Sequence, residues 1–401
     1  MYDVCVIGAR CAGSATAMLL ARKGYRVCAV DKAAFPSDTM STLLVFPVGM
    51  DCLERWGLAD RVRASGCPSL RSWIMAFGDL SLAGFPWSPH GIKETLAPRR
   101  TVLDQILVDA AASAGAEVRE GFVFEDVLRE GEAVVGIRGR SQSGGACEER
   151  ARVVIGADGM RSGFAAALGA EKVVERPALT CCYYSFFSGL QATSVEMHVG
   201  VGRSGVVVPT NDGNALVSVQ WSQERFHEVR SDIEENHRKA LAELSPELGE
   251  RMRAAKREER FVGTADLQNF FRRSQGPGWA LVGDAAYHKD PITAQGISDS
   301  FRYAELLADA VDEGLSGRRP LSEALADYER RRTESAMPLF EWACRTAELR
   351  APSGKTRELI GALQSNAEDT SRMMGLTAGT VLARDFFQAD NIARILAQVT
   401  T

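Results

Sequence analysis

The chain has no excess of basic residues. Its 47 lysines and arginines stand against 52 aspartates and glutamates, a formal net charge of −5, and no basic stripe runs along it. A protein that tracks nucleic-acid phosphates carries such an excess or stripe, so no nucleic-acid partner is expected. There are nine cysteines, an odd number, and none has C-x-x-C spacing. Neither a disulfide framework nor a zinc module is indicated, and the thiols read as those of a reduced, cytoplasmic protein. No apolar run approaches the roughly 18 residues of a membrane span, and Met1 to Gly8 lacks the basic start of a signal peptide. Internal repeats and low-complexity tracts are missing as well. Histidine is scarce, at five residues, which leaves few imidazoles for acid–base work.

What is present is a globular composition, 45% hydrophobic and 25% charged, which excludes a disordered or collagen-like chain. The 401 residues imply two or three lobes at roughly 150 residues each. Val4 to Ile7 is a short apolar run followed by a glycine-bearing turn. Ser14 to Lys23 is rich in alanine and leucine, and Tyr25 to Val30 closes a second strand. This is a βαβ unit with Asp31 at the end of its second strand. Arg99 to Ala114 carries Leu103, Ile106 and Leu107 at helical spacing, and strand-like segments run from Glu117 to Ile155 around a turn at Ser143-Gly144-Gly145.

From Ala178 to Trp221 the pattern becomes β-rich and aromatic: Thr180 to Phe187, Ser194 to Val199, Gly205 to Pro209 and Ala215 to Trp221. This predicts a separate antiparallel sheet. Gln223 to Arg257 reads as a charged, solvated outer helix. Gly278 to Val282 is one more buried strand. Ala294 to Asp312 and Leu321 to Leu349 predict long helices, and the remaining residues a less regular helical end.

Three glycine/aspartate constellations follow one another along the chain. The first is Gly8-Ala9-Arg10-Cys11-Ala12-Gly13, between a strand and a helix, with Asp31 ending the next strand. Glycines there permit a tight turn and close packing, the helix N-terminus receives a pyrophosphate, and the acidic side chain takes ribose hydroxyls. The second is Gly156-Ala157-Asp158-Gly159-Met160-Arg161-Ser162, at the end of the apolar strand Val153 to Ile155. The third is Gly283-Asp284-Ala285-Ala286 after Trp279 to Val282, followed by Pro291 and Gly296 before a helix.

In this order the motifs resemble the flavoprotein monooxygenase superfamily of the p-hydroxybenzoate hydroxylase type, related to geranylgeranyl reductases and flavin-dependent halogenases. The resemblance covers nearly the whole chain. It implies an α/β fold: a Rossmann-like FAD-binding domain from residues 1–70, 98–177 and 266–320, an inserted antiparallel β-sheet substrate domain from 71–97 and 178–265, and a helical C-terminal region, 321–401. It assigns Gly8, Ala9, Arg10, Gly13, Asp31 and Lys32 to the ADP half of FAD, and Asp158 and Gly159 to the middle motif near the pyrophosphate. Gly283 and Asp284 fall to the ribityl chain. Arg100 matches the family's Arg-x-x-Leu-Asp-x-x-Leu helix start through Leu103, Asp104 and Leu107, where a guanidinium forks onto phosphate oxygens.

The implied reaction is NAD(P)H reduction of the flavin, formation of a C4a-hydroperoxide with O2, and hydroxylation or epoxidation of an apolar or aromatic small molecule. The alternative is reduction of a C=C bond, as in geranylgeranyl reductases, whose strand-Pro-turn-Gly pattern is similar to Gly205 to Gly213. The halogenases' Trp-x-Trp-x-Ile-Pro motif is absent, Ser204 to Pro209 standing at its place, which argues against halogenation. Arg10 takes the place of the second glycine of the first motif. The arginine that commonly closes the Asp-Gly motif is Ala165 here, and Arg161 is its candidate substitute.

The polar loop Tyr287 to Gly296 is expected to lie against the isoalloxazine, with Pro291 at the ring and Gly296 opening a helix whose amides offset negative charge near N1 and O2. His288 is the imidazole placed to exchange a proton there. The candidate substrate contacts are Tyr184, Phe186, His198, Val207 and Pro209 on the second sheet. Alternation sets Tyr184 and Phe186 on one face and Tyr183 and Phe187 on the other, without saying which looks inward. It likewise opposes Cys181 and Cys182. Nothing in the composition decides between a monomer and a homodimer.

Overall fold

The structure, a computed structural model, describes residues 1–398. Its first sheet is centred on the parallel strands β1 (Tyr2–Ile7), β2 (Val27–Val30), β5 (Glu117–Arg119), β8 (Ala146–Gly156) and β18 (Trp279–Leu281), in the order β18-β8-β1-β2-β5. The short β17 (Gln275–Gly276) edges β18, and β6 (Val123–Glu130) and β7 (Ala133–Arg140) form an antiparallel extension on β8. Val4 to Ile7 and Val27 to Val30 are buried without alternation, because a parallel sheet is covered on both faces. One cover consists of α1 (Cys11–Arg22), α2 (Pro47–Trp56), α3 (Ala59–Arg63), α4 (Arg100–Ser113), α9 (Gly296–Leu315) and α10 (Leu321–Ala347), whose apolar stripes fill the largest core. On the other side α5 (Gly163–Leu168) sends Phe164 into a smaller core with Phe122 and Ile137.

The second sheet also has eight strands: β3 (Trp73–Phe77), β4 (Leu80–Gly84), β10 (Thr180–Ser188), β11 (Val195–Gly200), β12 (Arg203–Pro209), β13 (Ala215–Ser222), β14 (Lys256–Arg257) and β15 (Val262–Thr264). The four strands read from the sequence between 178 and 221 are all present. The sheet is mixed rather than antiparallel, because β3 joins β11 in parallel, with Trp73 opposite Val195. The β3–β4 hairpin enters from a distant part of the chain and docks on the edge, so no hairpin turn dictates its direction. A third, small sheet, β19-β16-β9, pairs β16 (Asn269–Arg272) with β9 (Lys172–Arg176) and β19 (Tyr287–His288).

The single outer helix expected over 223–257 is three helices, α6 (Phe226–Ser231), α7 (Ile233–Leu244) and α8 (Pro246–Ala254). Asp232 accepts from the Glu235 amide and Ser245 from the Leu248 amide, each starting a new helix, and Pro246 enforces the second break. The helices are not merely solvated, since His237, Leu241 and Leu248 are buried against the sheet. The region beyond 320 also divides. Leu325, Tyr328 and Phe340 of α10 belong to the largest core, whereas α11 (Gly354–Leu363), α12 (Ala367–Ala378), α13 (Ala383–Phe386) and α14 (Ala389–Ala397) pack on the second sheet through Leu363, Met374, Phe386 and Ile395.

Candidate active site

The three motifs converge at the ends of β1, β8 and β18. Gly8 has φ +96°, and a Cβ there would stand 2.5 Å from the Ala157 carbonyl oxygen; a Cβ on Gly13 would stand 1.7 Å from the Gly8 carbonyl oxygen. Neither position admits a side chain, so the turn closes only with glycine. Asp31 is buried beside it: Oδ2 accepts from the Ala9 amide at 2.7 Å and Oδ1 from the Ala33 amide at 2.8 Å. Lys32, next in the chain, is exposed.

Arg10 and Arg100 meet on one carboxylate. Asp104 is fully buried and accepts from Arg10 Nη1 at 2.7 Å and from Arg100 Nη2 at 2.8 Å. The other arm of Arg10 donates to Ser37 Oγ at 2.9 Å. The departure from glycine at this position is thus accommodated by a side chain that runs to Asp104 and the 37–38 loop. Two guanidinium groups on one carboxylate leave a positive charge beside the N-terminus of α1, which suits a diphosphate.

Asp158 supports the start of α5, which Ser162 caps: its oxygens accept from the Ser162 hydroxyl and, at 3.1 Å, from the Phe164 amide. Burial pushes its pKa up, and these hydrogen bonds oppose the rise. Gly159 follows at φ +80°. Arg161 is exposed and pairs with Asp266 at 2.9 Å. The guanidinium that does reach this motif belongs to Arg272 of β16. Its Nη1 donates to Ala285 O at 3.0 Å and to Met160 O at 3.4 Å, so it ties the second motif to the third. Sequence reasoning missed it, since Arg272 lies 112 residues from Met160 with no local signal. In the third motif, Gly283 packs where a Cβ would come within 2.8 Å of Ala12 Cβ. Asp284 is exposed between buried Gly283 and Ala285, and its charge acts on Arg100.

The loop after Ala286 is fixed by side chains from elsewhere. His288 turns its Nδ1 to the Gln268 carbonyl oxygen and lies over Phe270, with ring centroids 6.1 Å apart. Lys289 goes the other way, into an ion pair with Asp299 of α9. Asp290 is completely buried: Oδ2 accepts from Thr180 Oγ1 at 2.7 Å, and Oδ1 accepts from Gln220 Nε2 at 3.1 Å and the Ile292 amide at 3.0 Å. Burial pushes its pKa up, against those three donors. Asp290 thereby pins the Pro291–Thr293 turn to β10 and β13. Gln295 Nε2 donates to the Thr377 carbonyl at 2.8 Å, joining the loop to the C-terminal end of α12. Gly296 opens α9 and is exposed, with nothing within 4 Å of its Cβ position.

The second sheet presents Tyr184 and Phe186 to the core shared with Phe46, Ala294 and Met374. Tyr183, Phe187 and Trp221 face the other way, under α6 to α8. The structure does not bring the five candidate substrate residues together. Val207 belongs to the outer core, and Pro209 shares its side of β12 by alternation. His198 is buried on the same outer side, 3.5 Å from Glu196, which pairs with Arg251 of α8. Cys182 points inward, 3.2 Å from Ser218 Oγ, and Cys181 outward. Arg99, unassigned from the sequence, lies over the Phe186 ring at 3.7 Å and pairs with Asp38 and Glu259.

These residues fit FAD. The glycine turn leaves room for a dinucleotide backbone, Arg10 and Arg100 supply positive charge, and Asp284 stands open for a hydroxyl. In the loop itself, Thr293 Oγ1 and Gln295 Oε1 are buried with no hydrogen-bond partner, which leaves polar atoms for a polar ring edge. Among the described residues no group of three or more His, Cys, Asp or Glu is arranged to hold a metal, and no helix is long and apolar enough to cross a membrane.

Comparison with known proteins agrees with this fold. The digeranylgeranylglycerophospholipid reductase of Methanosarcina acetivorans is 27% identical over 358 residues, 84% of this chain and 81% of that protein. The flavin-dependent brominase Bmp2 superposes with a TM-score of 0.84 at 18% identity, over 100% of this chain and 98% of its own. PqsL of Pseudomonas aeruginosa, solved in complex with 2-aminobenzoylacetate, superposes with a TM-score of 0.73 at 24% identity, over 94% of this chain and 99% of its own. The two superpositions carry the fold and not the reaction. Residues 1–343 match the FAD binding domain family, and the chain belongs to it, as an FAD-dependent oxidoreductase.

Proposed function

We propose that this oxidoreductase is a monooxygenase that takes reducing equivalents from NAD(P)H and uses O2 to hydroxylate or epoxidise an apolar or aromatic small molecule. The observation that carries the reading is that Ala294 of the flavin loop shares one apolar core with Tyr184, Phe186 and Leu216 of the second sheet and Met374 of α12. An aromatic, water-excluding wall beside this loop suits oxygen chemistry on an apolar compound. Residues 1–70, 98–177 and 266–320 hold the cofactor in this reading, and 71–97 and 178–265 the substrate.

Bound FAD supplies the electron transfer and the oxygen activation. The chain supplies position. Gly8, Gly13, Asp31, Arg10 and Arg100 would hold the ADP half, Asp284 the ribityl chain, and the 291–296 backbone the ring. Asp290 fixes the Pro291 turn, and Gln295 keeps α12 over the loop, which excludes water. His288 is anchored through Nδ1, so only its Nε2 is left for proton exchange.

A second reading, reduction of a C=C bond, is favoured by the reductase relative at 27% identity. Mixing the anaerobically reduced, FAD-loaded protein with oxygenated buffer separates the two. A transient absorbing species before the oxidised spectrum returns is the expected result. Single-phase return, with reduction of an isoprenoid alkene by the reduced protein, would establish the second reading instead.

A further inference from the structure

The inner face of the second sheet is not closed evenly. Cys182, Gln220 and Ser204 stand side by side on β10, β13 and β12, and Tyr184, Ser218 and Val206 form the next row, with Met197 of β11 beside Val206. Cys182, Gln220, Ser204, Tyr184, Ser218 and Met197 each keep 5–8% of their surface open, and Val206 is half-buried. The row after that, Phe186, Leu216 and Val208, keeps only 0–3%. Two rows of one face therefore border open space, and the third is sealed.

The loop after β18 faces the open rows. Asp290 accepts from Gln220 Nε2 in the first, and Ala294, 6% exposed, shares the core of Tyr184 and Met197 from the second. The first row is polar, and the second is apolar save for two hydroxyls. That of Tyr184, at the end of the row, accepts from the Ser41 amide at 3.4 Å. Ser218 stands within the row, and its Oγ has Cys182 Sγ as partner at 3.2 Å. A thiol is a weak donor and a weak acceptor, so whichever atom donates, the hydroxyl keeps hydrogen-bonding capacity to spare. An apolar wall gains nothing from such a group unless what lies against it offers a polar atom.

We propose that Ser218 is a specificity-determining residue of the substrate site. The substrate is an apolar compound with one hydroxyl or carbonyl oxygen, which hydrogen-bonds Ser218 Oγ while the apolar body lies along Tyr184, Val206 and Met197. The inference rests on the reading that this sheet holds the substrate.

The test is the affinity of the oxidised, FAD-loaded full chain for 2-naphthol, 2-naphthaldehyde and 2-methylnaphthalene, read from the perturbation of the flavin absorbance with no reductant present. At least one oxygen-bearing probe should bind about tenfold more tightly than the methyl compound. Ser218→Ala should remove that preference and leave the affinity for 2-methylnaphthalene unchanged. Ser218→Cys keeps the side-chain volume but not the hydroxyl; it should do the same, and it stands in if the alanine variant does not fold. Equal affinities for the three probes, binding of none, or a preference that both variants keep overturns the proposal. Mixing with oxygen is independent of this experiment: loss of the transient species there would overturn the oxygen chemistry and leave the Ser218 contact standing.

Discussion

The turn after β1 and the loop after β18 both stand at strand ends before a helix, and they are built in different ways. The first turn is backbone against backbone. Gly8 meets Ala157 and Gly13 meets Gly8, and Asp31, at the end of the adjoining strand, accepts from the Ala9 amide. The loop after β18 is held by side chains borrowed from distant segments: Thr180 and Gln220 on Asp290, Gln268 on His288, and the end of α12 on Gln295. A turn built of backbone carries its own specification, whereas a loop built of borrowed contacts depends on the rest of the fold being in place.

The sharpest way to break the comparison is to put a Cβ into each. Gly13→Ala would place a methyl group 1.7 Å from a carbonyl oxygen that no rotamer can move. The expected result is loss of retained FAD and a destabilisation of ~3 kcal/mol, read from the flavin absorbance of the purified protein and its thermal unfolding. Gly296→Ala, with nothing within 4 Å, should leave the unfolding of the apoprotein within about 0.5 kcal/mol of wild type. Equal losses in the two variants would mean that the two sites are not built differently.

Breaking the loop takes a polar substitution. Asp290→Ala strands the Thr180 hydroxyl proton and the Ile292 N–H and takes from the Gln220 amide one of its two acceptors, Thr180 Oγ1 being the other, for an expected cost of about 2 kcal/mol. Adding Gln220→Leu should cost less than the sum of the two single variants, by about 1 kcal/mol, because each single variant already breaks the Gln220–Asp290 bond. Strict additivity in denaturant titrations would show that Gln220 is not coupled to Asp290, leaving Thr180 as the tie between loop and sheet.

The same difference explains what the sequence could reveal. The βαβ unit, Asp31, the helix at Arg100 and the four strands from Thr180 onward are local patterns, and each is found where its pattern stands. The loop's position was legible from Gly283 and Pro291, but its anchors were not. Thr180, Gln220 and Thr377 carry no motif and meet Asp290 and Gln295 only after both sheets have formed. The face of the second sheet was equally illegible. Alternation separates Tyr184 from Tyr183, but α7 with His237 and Leu241 decides that Tyr183, and with it Val207, is turned away from the loop after β18. His198 lies on that side too, braced through Glu196 to Arg251.

The middle motif gives the finest version of the comparison, because it has one arginine of each kind. Arg161 is local, inside the motif, and its side chain is 73% exposed. An exposed pair of this sort contributes little, so Arg161→Ala should change neither stability, beyond about 0.5 kcal/mol, nor the FAD dissociation constant. Arg272 is remote in sequence but its guanidinium spans the carbonyls of Met160 and Ala285 and lies 4.2 Å from the Phe270 ring centroid. Removing it frees the loops of the second and third motifs from each other, and if these hold the cofactor as proposed, Arg272→Met should raise the FAD dissociation constant about tenfold, ~1.4 kcal/mol. Arg272→Lys keeps the charge but not the fork and should recover only part of that loss. Fluorescence titration of FAD into the three apoproteins orders them. A larger effect at Arg161 than at Arg272 would return the role to the residue inside the motif, and the long-range contact would then be packing alone.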